Sequence, residues 1–242
     1  MTNTASQQVL AELAPNGTLQ VAINLGNPVL AQRGPDGEPQ GVTVALARAL
    51  AEELGVALEM RTFDAAGKVF AALEEGAWSL AFLAIEPVRE AQITFSEPYV
   101  LIEGTYLVNC DAPYQRVEEL DQTGLRLAVG KGAAYDLYLS RTLENAELVR
   151  ADTSAGAVDL FIEQGLDAAA GVRQPLMKVA EADAKYRVLE GAFTAIRQAV
   201  AVPRGRHHAA DYLRDYVERQ LHCGFVRGAL LASGQTDVSA PR

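Results

Sequence analysis

The sequence predicts an α/β fold of two lobes, each with a mostly parallel sheet covered by helices. Three observations carry this. Short apolar runs alternate with segments of helical period along the 242 residues, the pattern of parallel strands with helices on their faces. The pattern occurs twice: Phe70 to Gly76 and Val158 to Gly165 each lead into a strand, a short loop and a proline, Pro87 and Pro175. A last strand and helix follow residue 199 and need a partner, most simply the first half. The chain then crosses between lobes twice, with residues 1–103 and 200–242 in one lobe and 104–199 in the other.

Ser6 to Leu13 suits a short helix, stopped by Pro15-Asn16-Gly17. Leu19 to Leu25 reads as a buried strand, and Gly34-Pro35-Asp36-Gly37 as a turn. Val42, Leu46, Ala49, Leu50 and Leu54 recur at helical spacing, and Gly55 supplies the stop. Val56 to Phe63 is a strand, Val69 to Glu75 a helix and Trp78 to Leu83 a third strand. Pro87 opens a helical turn, and Tyr106 to Val108 forms a strand. In the second half, strands are expected at Leu125 to Val129, Glu147 to Arg150 and Asp167 to Gly171. Helices are expected at Ala134 to Leu143, Ala157 to Glu163 and from Pro175. The tail gives a strand at Ala199 to Val202 and a helix at His208 to Leu221, extended by Gly224 to Leu231.

Composition narrows the function. With 49% hydrophobic and 21% charged residues the chain is globular, and a net charge of −10 repels phosphate backbones and anionic membranes. No stretch approaches a membrane-spanning length, so neither nucleic acid nor membrane insertion is expected. The first residues lack the basic and apolar regions of an export signal. A cytoplasmic location follows, or a periplasmic one if a signal precedes the mature protein. Cys110 and Cys223 read as buried free thiols, and His207, His208 and His222 as surface or core residues. No cofactor and no metal are expected.

Open parallel sheets bind ligands beyond the carboxyl ends of their strands. The loops there hold Asn24 and Asn27; Ala84, Glu86 and Arg89; Lys131, Gly132, Ala133 and Ala134; and Arg173. Three cations at loop tips of an acidic chain point to a small anion held between the lobes. Arg89 offers a planar fork for a carboxylate, and Gly132-Ala133-Ala134 opens a helix whose free N–H groups can receive an oxyanion. The plainer readings are a solvated Arg89, Glu86 as a helix cap, a solvated Lys131, and Arg173 paired with a surface acid. Tyr135 and Trp78 read as packing residues. Gly130-Lys131-Gly132, with Asp152 further on, also mimics a dinucleotide loop, but Tyr135 falls where a third small residue belongs. Hydrolase and zinc-protease motifs are absent.

From about Gly17 to Gly234 the chain resembles the amino-acid type, family 3, solute-binding proteins of ABC importers. The matching stretches are Leu19 to Ile23, Gly41 to Ala47, Gly76 to Ala81, Leu127 to Gly132, and Arg89 through Phe95-Ser96-Glu97-Pro98-Tyr99. The resemblance implies the type II periplasmic-binding-protein fold, two lobes joined by a two-strand hinge, and an ABC transporter permease as partner if the protein is exported. It implies that Arg89 binds the ligand carboxylate and that Gly132, Ala133 and Ala134 close on it from the other lobe. The hydroxyl residues that the resemblance places before the arginine and at the second helix start are Ala84, Glu86 and Ala133 or Ala134 here. The acid that it implies for an α-ammonium falls on Val172. An unpaired ammonium would cost several kcal/mol of desolvation. A carboxylate, dicarboxylate or keto acid is therefore expected, with Glu86 keeping an amine-bearing ligand open. The same fold hosts cyclohexadienyl dehydratases, which makes a lyase the alternative; Arg173-Gln174-Pro175 offers no acid for that reaction.

Overall fold

In the computed structural model, which describes residues 6–241, a nine-stranded sheet runs through the whole chain. The amino-terminal residues 1–5, read above for an export signal, lie outside the described residues. Helix α1 (Gln7–Leu13) is capped by Ser6, whose side chain accepts the Val9 N–H. Strand β1 (Thr18–Asn24) follows, and a small hairpin, β2 (Gln32–Arg33) with β3 (Pro39–Gln40), leads to α2 (Val42–Leu54). Helix α2 buries Val42, Leu46, Leu50 and Leu54, each contributing about 1.5–3 kcal/mol when removed from water. Gly55 ends it at φ 68°, a left-handed conformation that glycine adopts without steric cost.

Strand β4 (Ala57–Phe63), α3 (Ala66–Ala71), β5 (Leu80–Ala84) and the one-turn α4 (Pro87–Glu90) complete the first alternation. Helix α3 begins three residues before the expected Val69 and gives way to turns before Gly76. Trp78 lies outside β5; its indole N–H donates to the Val69 carbonyl at 2.9 Å and pins the turn under α3.

The largest departure is β6 (Ile93–Asn109), 17 residues long where only Tyr106 to Val108 reads as strand. Pro98 and the polar Ser96-Glu97 interrupt the apolar pattern, and the strand exchanges one set of neighbours for another part-way. Its first part pairs with β11 (Thr194–Pro203), which also pairs with β5, and carries a bridge from Leu101 to Ser239; its last part pairs with β9 (Ala168–Val172). The β6/β11 register shifts between Gln198 and Ala199 and again between Ala199 and Ala201. Ser96 Oγ accepts the Val200 N–H at 3.0 Å there, in place of a backbone acceptor.

The second half adds β7 (Arg126–Gly130), α5 (Ala134–Thr142), β8 (Glu147–Ala151), α6 (Ser154–Gln164), α7 (Arg173–Ala182) and the short β10 (Tyr186–Val188) beside β6. The sheet order is β4-β1-β5-β11-β6-β9-β7-β8. The flanks are parallel, and β6 and β11 supply the antiparallel pairings between them. Helices α8 (His207–His222) and α9 (Phe225–Ala232) return to the first half, α8 onto α1 and β6, α9 onto α2. The fold is thus mixed α/β with a largely parallel sheet.

Both cysteines are exposed, against the buried placement expected: Cys110 follows the end of β6, and Cys223 sits in the turn after α8. The histidines lie on the surface. Among the described residues no cluster of side chains could hold a metal, and no helix is long and apolar enough to cross a membrane.

Candidate functional site

The carboxyl ends of β1, β4 and β5 face those of β7, β8 and β9 across one cavity of about 490 Å³. This follows from the strand order: both parallel flanks direct their following loops to the same gap. Asn24, Asn27, Ala84 and Arg89 line it from the first half, and Lys131, Ala133 and Ala134 from the second.

Arg89 reaches the cavity because Pro87 fixes the first turn of α4 immediately after β5. The side chain is 1% exposed. Nη1 donates to the Ala84 carbonyl at 3.0 Å and Nη2 to the Gly132 carbonyl at 2.8 Å. These use two of the five guanidinium donors, and no carboxylate hydrogen-bonds to the group. Burial draws its pKa down to about 10, opposed by the nearby Glu86 charge. The plainer reading of a solvated arginine is therefore wrong.

The opposite wall is the turn from β7 into α5. Asp136 accepts the Gly132 N–H at 2.8 Å and is itself held by Arg150 Nε at 3.0 Å, which fixes the carbonyl that receives Arg89. The first turn of α5 has no side-chain cap, so its N–H groups stay available beside the guanidinium. The Tyr135 hydroxyl accepts the Gly130 N–H at 3.1 Å and donates to Ser154 Oγ at 2.7 Å. Tyr135 thus lines the cavity as well as packing.

Three predicted contacts lie off the cavity wall. Arg173 does not line the cavity; its Nε pairs with Glu103 and an Nη donates to the Gly191 carbonyl, the plainer alternative above. Glu86 caps nothing with its side chain and also stays off the cavity wall; its carboxylate pairs with Arg141, which lies over the Tyr138 ring at 5.0 Å. Gly132, also expected at the ligand, does not line the cavity; its carbonyl accepts from Arg89. Lys131 lines the cavity but is exposed.

The dinucleotide reading of Gly130-Lys131-Gly132 has a different explanation. A Cβ on Gly132 would lie 2.8 Å from the Gly67 Cα, and one on Gly130 would lie 2.7 Å from the Tyr135 hydroxyl. The glycines admit neighbouring protein atoms in place of a pyrophosphate.

The sequence reading missed Phe82, Ile196 and Gln198, which line the cavity from β5 and β11. Asp64 and Asp159 also line it, both exposed, with Asp64 paired to Lys68 at 2.8 Å. The available signal for Gln198 was slight: it follows Arg197 and directly precedes the apolar run from Ala199 to Val202.

Residues 19–222 match the family described as bacterial extracellular solute-binding proteins, family 3. The chain belongs to that family. Solved structures agree with this family 3 fold. The cysteine-binding protein from Campylobacter jejuni is 19% identical with a TM-score of 0.80, over 93% of this chain and 92% of its own. An amino acid ABC transporter substrate-binding protein from Streptococcus pneumoniae, bound to L-arginine, is 21% identical with a TM-score of 0.79, over 98% and 100%. The ancestral amino acid-binding protein AncCDT-1, described as a precursor of cyclohexadienyl dehydratase, is 22% identical with a TM-score of 0.76, over 91% and 96%. No curated protein sequence matches the chain significantly. A family 3 solute-binding protein with a periplasmic-binding-protein-like fold is what these findings establish.

Proposed function

We propose that this solute-binding protein captures a small organic carboxylate between its two lobes, with Arg89 as the anchor. The carrying observation is a buried guanidinium at the cavity wall with no carboxylate hydrogen-bonded to it. Such a group costs desolvation until an anion arrives, so the anion is stabilised by charge already in place. The lobes are residues 1–103 with 200–242, and 104–199; β6 and β11 pass between them.

The ligand is one without an α-ammonium. Val172 and Ile196 make their parts of the wall apolar, and the carboxylates that line the cavity, Asp64 and Asp159, are exposed. Monocarboxylates and keto acids fit this wall. A dicarboxylate loses part of its support, because Arg173 is held by Glu103. The related structures named for cysteine and arginine make α-amino acids the competing outcome. The family is extracellular by description, which supports an exported receptor that delivers its ligand to an ABC transporter permease, rather than a cytoplasmic protein.

Calorimetric titration with keto acids, monocarboxylates, dicarboxylates and amino acids tests the reading. Arg89→Ala is expected to weaken carboxylate binding by about 2–4 kcal/mol. Wild-type affinity in that variant overturns the anchor. Mass spectrometry of the same mixtures reads turnover, and product formation moves the protein to the dehydratase alternative.

A further inference from the structure

Gln198 stands apart from the rest of the cavity wall. It is 6% exposed and lines the cavity, and its amide makes no hydrogen bond to the described residues. Its amide atoms are not among the fully enclosed unpaired ones of the described residues, which are Tyr99 Oη and Gln174 Oε1; they open onto the cavity and are available to whatever binds there. Its position is set by the sheet. Gln198 lies opposite Ala84, whose carbonyl holds Arg89, and the β6/β11 register shifts immediately after it. Register shifts of this kind re-aim side chains. Ile196, two residues earlier, lines the same cavity, so this face of β11 looks into it.

The polar neighbours restrict what the amide can meet. Asn24 Oδ1 accepts the Gly26 N–H at 2.9 Å, and Asn27 Oδ1 accepts the Val29 N–H at 3.2 Å. Their acceptors are engaged in turns, which leaves the two amide NH₂ groups as donors. With Gln198 Nε2 they form a donor-rich, uncharged wall near the anchor.

We propose that Gln198 is a specificity-determining residue that donates to an uncharged acceptor, a keto or hydroxyl oxygen, carried by the ligand beside its carboxylate. The ligand class is then a 2-oxo or 2-hydroxy acid with an apolar remainder against Phe82 and Ile196. An ammonium at the same place would meet the Asn24 and Asn27 donors and, from Gln198, an uncharged acceptor at best, Oε1. This inference rests on the carboxylate reading of Arg89.

The test uses three probes of one carbon skeleton: 4-methyl-2-oxopentanoate, 4-methylpentanoate and L-leucine. Wild type is expected to bind the oxo acid at least about tenfold tighter than the other two, the worth of one good hydrogen bond. Gln198→Leu is expected to reduce the oxo-acid preference to within about threefold, while 4-methylpentanoate keeps its wild-type affinity within the same margin. Gln198→Glu, which replaces donors with an acceptor, is expected to lose oxo-acid binding and gain leucine binding. Thermal melts check each fold, and Gln198→Met carries the comparison if Gln198→Leu does not fold. Equal affinity for the three probes, a preference for leucine, no binding at all, or an oxo-acid preference that survives Gln198→Leu overturns the proposal. Arg89→Ala separates the two readings. If it abolishes 4-methylpentanoate binding while the oxo acid has no advantage in wild type, the anchor stands and the role of Gln198 fails. If Arg89→Ala binds all probes as wild type does, the carboxylate reading fails.

Discussion

The segments around Arg89 and Arg173 are built on one plan and end in opposite surroundings. Each follows a buried strand, β5 or β9, and each lies two positions from a proline in the first turn of a helix. Arg89 follows its proline, sits inside the turn, and is buried against two backbone carbonyls. Arg173 precedes its proline, opens the helix, and is held by Glu103 on β6. The difference teaches that a buried arginine at a strand end keeps donors open to an outside anion, the role proposed for Arg89, only where the fold supplies it no carboxylate. Strand-end position alone does not decide this, because the deciding acid lies 70 residues away in sequence.

Three perturbations sharpen the contrast. The largest effect is expected at the carbonyl that holds Arg89. Gly132 has φ +73°, and an added Cβ would lie 2.8 Å from the Gly67 Cα. Gly132→Ala combines about 1–2 kcal/mol of left-handed strain with a steric wedge between the walls. Carboxylate affinity should fall at least about tenfold by calorimetry. Gly165→Ala, at φ +59° with open space around it, carries similar backbone strain and should leave affinity unchanged.

The next effect is on pH dependence. The Arg89 pKa in the empty protein is lowered to about 10 by burial, and a bound anion raises it again. Binding therefore takes up a proton once the pH exceeds that of the empty site. Affinity should be flat from about pH 7 to 9 and fall by up to tenfold per pH unit above about 10. Titrations in buffers of different ionisation enthalpy check the proton uptake, and a flat profile to pH 11 would show that the buried guanidinium keeps its charge throughout. The smallest effect is expected from Arg173→Ala. Its partner Glu103 is more than half exposed, so the pair should contribute no more than about 1 kcal/mol to melting stability. Ligand affinity should stay within about twofold, and a larger loss would return Arg173 to the binding wall.

Much of this fold was readable from local chemistry. Helices α2 and α6 carry apolar residues at helical spacing and stop at Gly55 and Gly165, both left-handed. Arg89 was legible because Pro87 and the end of β5 fix where its turn begins. Strand β6 was not, because its neighbours change along its length and Pro98 interrupts a pattern that local reading depends on. Gln198 carried only a faint signal, since a polar residue in a strand does not reveal which face is hollow. The partners of Glu86 and Arg173 were equally hidden: Arg141 and Glu103 reach them only through tertiary packing.

The mended seam between β6 and β11 has one more consequence. Where the register slips beside Pro98, Ser96 Oγ is the acceptor for the Val200 N–H, and a rotatable side chain stands where a rigid peptide carbonyl would. In the two-lobe reading proposed above this seam lies where the chain crosses between lobes, so a tilt of one lobe against the other would be taken up by a hydroxyl in the middle of a continuous sheet.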